Sequence, residues 1–123
     1  MEGGVCLTTG FCTGGSSMIF ETLNEAAGRG ELALVDGGMC HWHLRKDGQL
    51  TIYEIIVLPD FQGQGIGSMM LDMLKDVPGA SFIFAKCPVD LDANNWYKRR
   101  GFVCEGTETT RTGRELRLWR LQL

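Results

Sequence analysis

Gln62-Gly63-Gln64-Gly65-Ile66-Gly67 is where residue type and spacing speak most directly of chemistry. Glycines at alternate positions allow a tight turn whose successive backbone N–H groups point one way. A helical repeat of apolar residues follows at once, with Ile66, Met69, Met70, Met73, Leu74 and Val77 on one face. The turn therefore sits at a helix N-terminus, where a concave row of amides and the helix dipole favour an anion. The spacing also excludes two such sites. A P-loop closes on Lys-Ser/Thr, whereas Gly67 is followed by Ser68-Met69. A dinucleotide fingerprint is GxGxxG on the first strand, whereas this is GxGxG in mid-chain.

The elements that must hold this turn are legible on either side of it. Residues 51–58, TIYEIIVL, are β-branched and aromatic and apolar on both alternating faces, as in a covered central strand, and Pro59-Asp60 end it. Asp36-Gly37-Gly38 and Asp47-Gly48 are hairpin signals, joining strands at 31–35, 39–44 and 51–58 into an antiparallel meander. Upstream, a short strand is expected within 5–9, then a helix from Ser16 or Ser17 to about Ala27, stopped by Gly28. Downstream, Pro78-Gly79 breaks the methionine-rich helix before a strand at 81–86. Reached through a helix, that strand should run parallel to the central one. A second helix spans about 91–100, with Asp90 and Asp92 at its positive end, Lys98, Arg99 and Arg100 at its negative end, and Gly101 as stop. Its inward face carries Ala93, Trp96, Tyr97 and the stem of Arg100. Strands at 102–108 and 115–121 close the chain as a hairpin about Thr112-Gly113. The order predicts an α/β (α+β) fold, a mixed and mostly antiparallel sheet flanked by helices, as a single domain over 1–123.

Composition narrows the function classes. No apolar run approaches the ~20 residues of a membrane helix, and the N-terminus lacks the basic and apolar regions of a secretory signal. A cytoplasmic protein without a membrane role is expected. The net charge of −3 argues against nucleic acid as partner. Five cysteines, an odd number without a CxxC pair, suit free thiols in a reducing compartment. His41 and His43 share a strand face, but Cys40 points the other way and no third ligand is evident, so no metal is expected. Cys87 is expected to be a buried structural thiol and Met69, Met70 and Met73 core packing. Arg114, Arg117 and Arg120 cannot share one strand face by simple alternation.

With this frame in place, the turn fits the pattern Q/R-x-x-G-x-G/A after a strand ending EIIVLPDF. It is followed in order by ANNWYKRRGF (93–102) and GRELRLWRL (113–121). Together these stretches resemble the GNAT family of N-acetyltransferases over about residues 31–121. Tyr97 matches the family tyrosine and Ala93 its small helix residue. Asp90 stands where many members carry Asn, and one N-terminal helix stands where the family commonly has two.

The resemblance implies acetyl-CoA as cosubstrate, a small-molecule or peptide amine as acceptor, and no metal. The pyrophosphate would lie on the amides of Gln62, Gly63, Gln64, Gly65, Ile66 and Gly67, with Ser68 next on the helix. The pantetheine arm would pair with the backbone of Ile55 and Val57 where the two parallel strands splay, and an N–H near Val57 would steady the thioester oxygen. Tyr97 would be the acid that protonates the departing thiolate. From a phenol at ~10 to a thiol at ~8.5 that transfer is uphill by roughly 2 kcal/mol, small against an acyl-transfer barrier. Glu54 would be the base, its pKa raised by Ile52 and Ile56 on the same strand face. Plainer roles stand beside these: Glu54 paired with a C-terminal arginine, and Tyr97 a core aromatic. The alternative function is a non-catalytic acyl-CoA-binding or interaction module of the same fold. Exposed terminal strands would suit a homodimer.

Overall fold

The computed structural model describes residues 6–8, 24–25 and 27–123. Its elements are β1 (Cys6–Thr8), β2 (Leu32–Val35), β3 (Gly38–Leu44), β4 (Gln49–Val57), α1 (Ile66–Lys75), β5 (Phe82–Pro88), α2 (Ala93–Arg99), β6 (Val103–Thr109) and β7 (Glu115–Gln122). The strands form one sheet in the order β2-β3-β4-β5-β7-β6, with β1 set against β4. β4 and β5, joined through α1, are the parallel pair, and the other pairings are antiparallel. The mixed, mostly antiparallel sheet expected from the sequence is therefore present. The β2-β3-β4 meander turns at Gly37 (φ 81°) and Gly48 (φ 95°), left-handed positions that favour glycine.

The core lies on one face of the sheet. Cys40, Leu50, Ile52, Ile55, Val57, Ile83 and Ala85 meet Met70, Leu71 and Leu74 of α1 and Ala93, Trp96 and Tyr97 of α2. The helix α1 is turned from the orientation its methionines suggest. Met70 is buried, but Met69 and Met73 are 45% and 46% exposed, and Leu71 takes the inward place. The methionine stripe is thus a half-covered flank rather than core packing throughout.

β4 carries a second departure. His41 pairs with Glu54 but Trp42 pairs with Ile52, so Tyr53 is an extra residue on β4. This bulge shifts the inward phase from Leu50 and Ile52 to Ile55 and Val57. Glu54 consequently shares its face with Ile56 but not with Ile52, contrary to the simple alternation. Tyr53, 43% exposed, opens the strand that was expected to be covered on both faces.

Most of the expected first helix lies outside the described residues. Asn24, Glu25, Ala27 and Gly28 are helical, and the stop falls at Gly30 (φ 73°), not Gly28. Among the described residues no helix is long and apolar enough to cross a membrane, and no three His, Cys, Asp or Glu side chains gather in a metal-binding group. Cys40, Cys87 and Cys104 are free thiols.

Candidate functional site

The site is built where β4 leaves β5. The two strands pair from Gln49–Phe82 to Ile52–Ala85, and then part. β5 continues beside β7 as far as Pro88, and β4 continues beside β3 as far as Val57. The Tyr53 bulge stands at the point of parting, where its bend turns β4 away.

The ladder decides which backbone groups face the gap. Leu58 N–H donates to Gly37 O at 2.8 Å, which makes Gly38–Val57 a non-hydrogen-bonded pair. Val57, and Ile55 two residues earlier, therefore turn their N–H and C=O away from β3. That edge has a partner within the chain. β1 lies along it antiparallel, with Leu7 opposite Ile55, Cys6 opposite Ile56 and Thr8 opposite Glu54.

At the end of β4 the chain enters the glycine turn. Gln62 is spent on structure: its N–H donates to Pro59 O at 3.3 Å and its Nε2 to Val57 O at 3.1 Å. It braces the turn rather than offering its amide to an anion. Gly63 (φ 82°) and Gly65 (φ 81°) are left-handed, with open space where a Cβ would stand. Among the described residues the amides of Gly63, Gln64, Gly65, Ile66, Gly67 and Ser68 have no backbone acceptor, as expected at the uncapped start of a helix. Gly67 is glycine for a different reason. A Cβ there would lie 3.2 Å from the Trp96 ring, so its absence lets α1 close on α2.

Tyr97 lies on the core side of the sheet. It is fully buried, stacks on Trp119 (centroids 6.2 Å, planes 19° apart) and meets Trp96 and Phe102 edge-on. Asn94, one turn earlier, ties α2 down: its Nδ2 donates to Pro88 O and Leu91 O at 2.8 Å, and its Oδ1 accepts from Trp119 Nε1 at 2.9 Å. Among the described residues the Tyr97 hydroxyl has no hydrogen-bond partner. Burial, then the neighbouring Cys87 and Cys40, holds its pKa well above 10. It therefore stays protonated, able to donate and unable to act as a base. Burial pushes Cys40 and Cys87 up to about 12. A thiolate released into the same surroundings gains basicity in the same way, which offsets the loss of acidity in the phenol.

Glu54 lies on the opposite face, half-buried, and burial raises its pKa above 4.5. Two of the C-terminal arginines are engaged elsewhere, Arg114 with Asp90 at 3.9 Å and Arg120 with Glu105 at 3.8 Å. Across the ladder from Glu54 stands His41, buried, its pKa lowered by burial and then by the charge of Arg29. The His41 and Tyr53 rings are 5.0 Å apart. His43 Nδ1 lies 2.8 Å from Glu31 Oε2, while Glu31 Oε1 accepts from Arg29 Nε at 2.8 Å.

Beside these groups, on the Tyr53 side, an open cleft of about 530 Å³ includes Thr51, Tyr53, Phe84, Lys86 and Glu108 among its walls. Sequence reasoning missed Asn94, Tyr53 and this cleft. An Asn one turn before Tyr97 was a usable signal for the first; nothing local announced the other two.

The sheet thus parts at the end of β4, next to a glycine-led helix, with the buried Tyr97 on one face and the Glu54 carboxylate on the other. The sequence profile of the acetyltransferase (GNAT) domain matches residues 19–104, and the chain belongs to that family. The acyltransferase class expected from the sequence rests on this membership. Among solved structures, a GNAT-family protein from Desulfovibrio desulfuricans is 23% identical, with a TM-score of 0.71 over 94% of this chain and 86% of that one. A Bacillus subtilis acetyltransferase in complex with CoA is 18% identical, with a TM-score of 0.66 over 84% and 83%. A GNAT acetyltransferase from Elizabethkingia anophelis with acetyl-CoA bound is 16% identical, with a TM-score of 0.65 over 84% and 82%. These likenesses establish the fold. Curated proteins yield no significant match.

Proposed function

We propose that this protein transfers an acetyl group from acetyl-CoA to a primary amine by direct transfer, without a covalent enzyme intermediate. The observation that carries the reading is the Tyr97 hydroxyl, buried on the core side of the sheet and, among the described residues, without a hydrogen-bond partner. A buried donor left unpaired costs about 1–3 kcal/mol, which a core aromatic would avoid as phenylalanine. The bound cosubstrates of the Bacillus subtilis and Elizabethkingia anophelis relatives support the choice of donor.

The residues present fit acetyl-CoA. The open amides from Gly63 to Ser68 receive the pyrophosphate at the positive end of α1. Ile55 and Val57 present backbone groups to the pantetheine arm, and the Val57 N–H steadies the thioester oxygen as it gains charge. Acetyl-CoA supplies an activated acyl group; the side chains move the protons. Glu54 takes one proton from the acceptor ammonium. The amine nitrogen bonds to the acyl carbon as the C–S bond breaks, Tyr97 Oη gives its proton to the sulfur, the surplus proton on the new amide nitrogen restores the phenol, and Glu54 releases its proton to solvent. Deprotonation and protonation are thus served from opposite faces of the sheet.

Calorimetric titration with CoA tests the binding half. Micromolar affinity that is lost in Gly65→Glu is expected, since the new side chain both strains a left-handed position and brings negative charge to the anion site. Failure of the wild-type protein to bind either CoA or acetyl-CoA would overturn the reading. Thiol release with a panel of amines separates an enzyme from a binding module.

A further inference from the structure

The cleft beside Tyr53 selects the acceptor by charge. We infer that the acceptor is an amine that also bears a carboxylate, of the amino-acid or short-peptide class, rather than a polyamine or other polycation. This rests on the acetyltransferase reading above and specifies its second substrate.

Position comes first. The last parallel pair is Ile52–Ala85, so Tyr53 and Lys86 are the first residues past it, and both line the cleft. The cleft thus adjoins the mouth of the gap on the face that carries Glu54. Tyr97 approaches from the other face, leaving this one for the acceptor.

Charge comes second. Among the described residues, Arg45 and Lys86 contribute two cations to the cleft against the carboxylate of Glu108. The excess is positive although the whole chain carries −3. Lys86 Nζ pairs with Glu108 Oε2 at 2.9 Å, and Arg45 pairs with Asp47, outside the cleft, at 2.8 Å. All four side chains are 40–53% exposed. Ion pairs so exposed contribute little and open readily, so either cation can exchange its partner for a ligand carboxylate. A polycation finds one carboxylate here, already engaged, and two like charges.

Shape comes third. Gln49 and Tyr53, which bound the cleft along β4, are four residues apart, about 13 Å of strand. An amine at the mouth of the gap can therefore reach Lys86 with an adjacent carboxylate, or Arg45 with one several bonds away. Phe84 and the Tyr53 ring give apolar floor between them.

The test is thiol release with matched acceptors: phenylalanine and phenethylamine, 4-aminobutyrate and propylamine, and spermidine. At least a tenfold higher kcat/KM for the carboxylate-bearing member of each pair is expected, with spermidine poorest. In the double variant Arg45→Gln/Lys86→Gln that ratio should fall towards one through KM, while calorimetry shows CoA affinity maintained. CoA binding with no carboxylate preference, with spermidine preferred, or with a ratio untouched by the double variant overturns the acceptor assignment alone. Loss of CoA binding by the wild-type protein overturns the reading beneath it.

Discussion

The backbone N–H of Phe102 donates to the carbonyl oxygen of Tyr97 at 3.1 Å, and their rings meet edge-on with centroids 5.1 Å apart. With Gly101 N–H donating to Lys98 O at 3.2 Å, this is a Schellman close with its customary apolar contact. The Tyr-x-x-x-Gly-Phe spacing is therefore a helix-ending device that also fixes the catalytic candidate. Gly101 sits at φ 93°, and a Cβ there would meet Leu121 only at an ordinary 3.7 Å. Strain rather than crowding decides its substitution. Gly101→Ala should lose roughly 1–2 kcal/mol of stability, and Gly101→Asn less, as read by urea unfolding. Equal losses for the two would remove the left-handed close as the cause.

Tyr97→Phe separates a catalytic from a packing role. Removing an unpartnered buried hydroxyl should leave stability unchanged or slightly raised. Thiol release with a good acceptor should fall about 10²–10⁴-fold, the usual worth of a positioned proton donor. Full turnover in this variant would return Tyr97 to the core aromatics.

Glu54 joins pH dependence to both stability and rate. Burial raises its folded pKa above the usual 4.5, so the folded state holds the proton more tightly than the unfolded chain. The resulting penalty is absent below pH 4.5, grows as pH rises, and is complete above the folded value. Glu54→Gln should therefore stabilise the protein at neutral pH and change little near pH 4. The acidic limb of kcat/KM, set by this carboxylate above the normal carboxylate range, should disappear together with most of the activity. A destabilised variant at pH 7 would mean that the ionised carboxylate has a favourable partner.

What was legible in the sequence was local. The glycine turn, the two hairpins and the Tyr97–Phe102 close each depend on residues a few positions apart, and each is present. The Tyr53 bulge was not legible, because a one-residue slip shows only when β3 supplies the partner. That slip moved Glu54 off the face of Ile52. The cleft escaped for a similar reason: Lys86 and Glu108 are 22 residues apart and meet across β7. Gly67 was recognised in the motif, but its second reason for being glycine was not legible, since its neighbour Trp96 belongs to another helix.

The place of β1 leads to the last prediction. Ile55 offers one N–H and one C=O to the gap, and its cross-strand partner there is Leu7. In an antiparallel ladder, a residue facing its partner this way exchanges both bonds with it. The pantetheine arm of the proposed cosubstrate needs the same groups, so strand and arm cannot hold Ile55 together. Binding must then draw on the fraction of molecules in which β1 has left, which lowers the apparent affinity by that fraction. Leu7→Pro removes the donor that β1 gives to Ile55 and is incompatible with the ladder. The variant should bind CoA several-fold more tightly in calorimetric titration, with the gain confined to ligands that carry the pantetheine arm. Adenosine 3′,5′-bisphosphate, which lacks that arm, should bind wild type and variant alike. Unchanged or weaker CoA affinity in Leu7→Pro would mean that β1 and the cosubstrate do not compete for this edge.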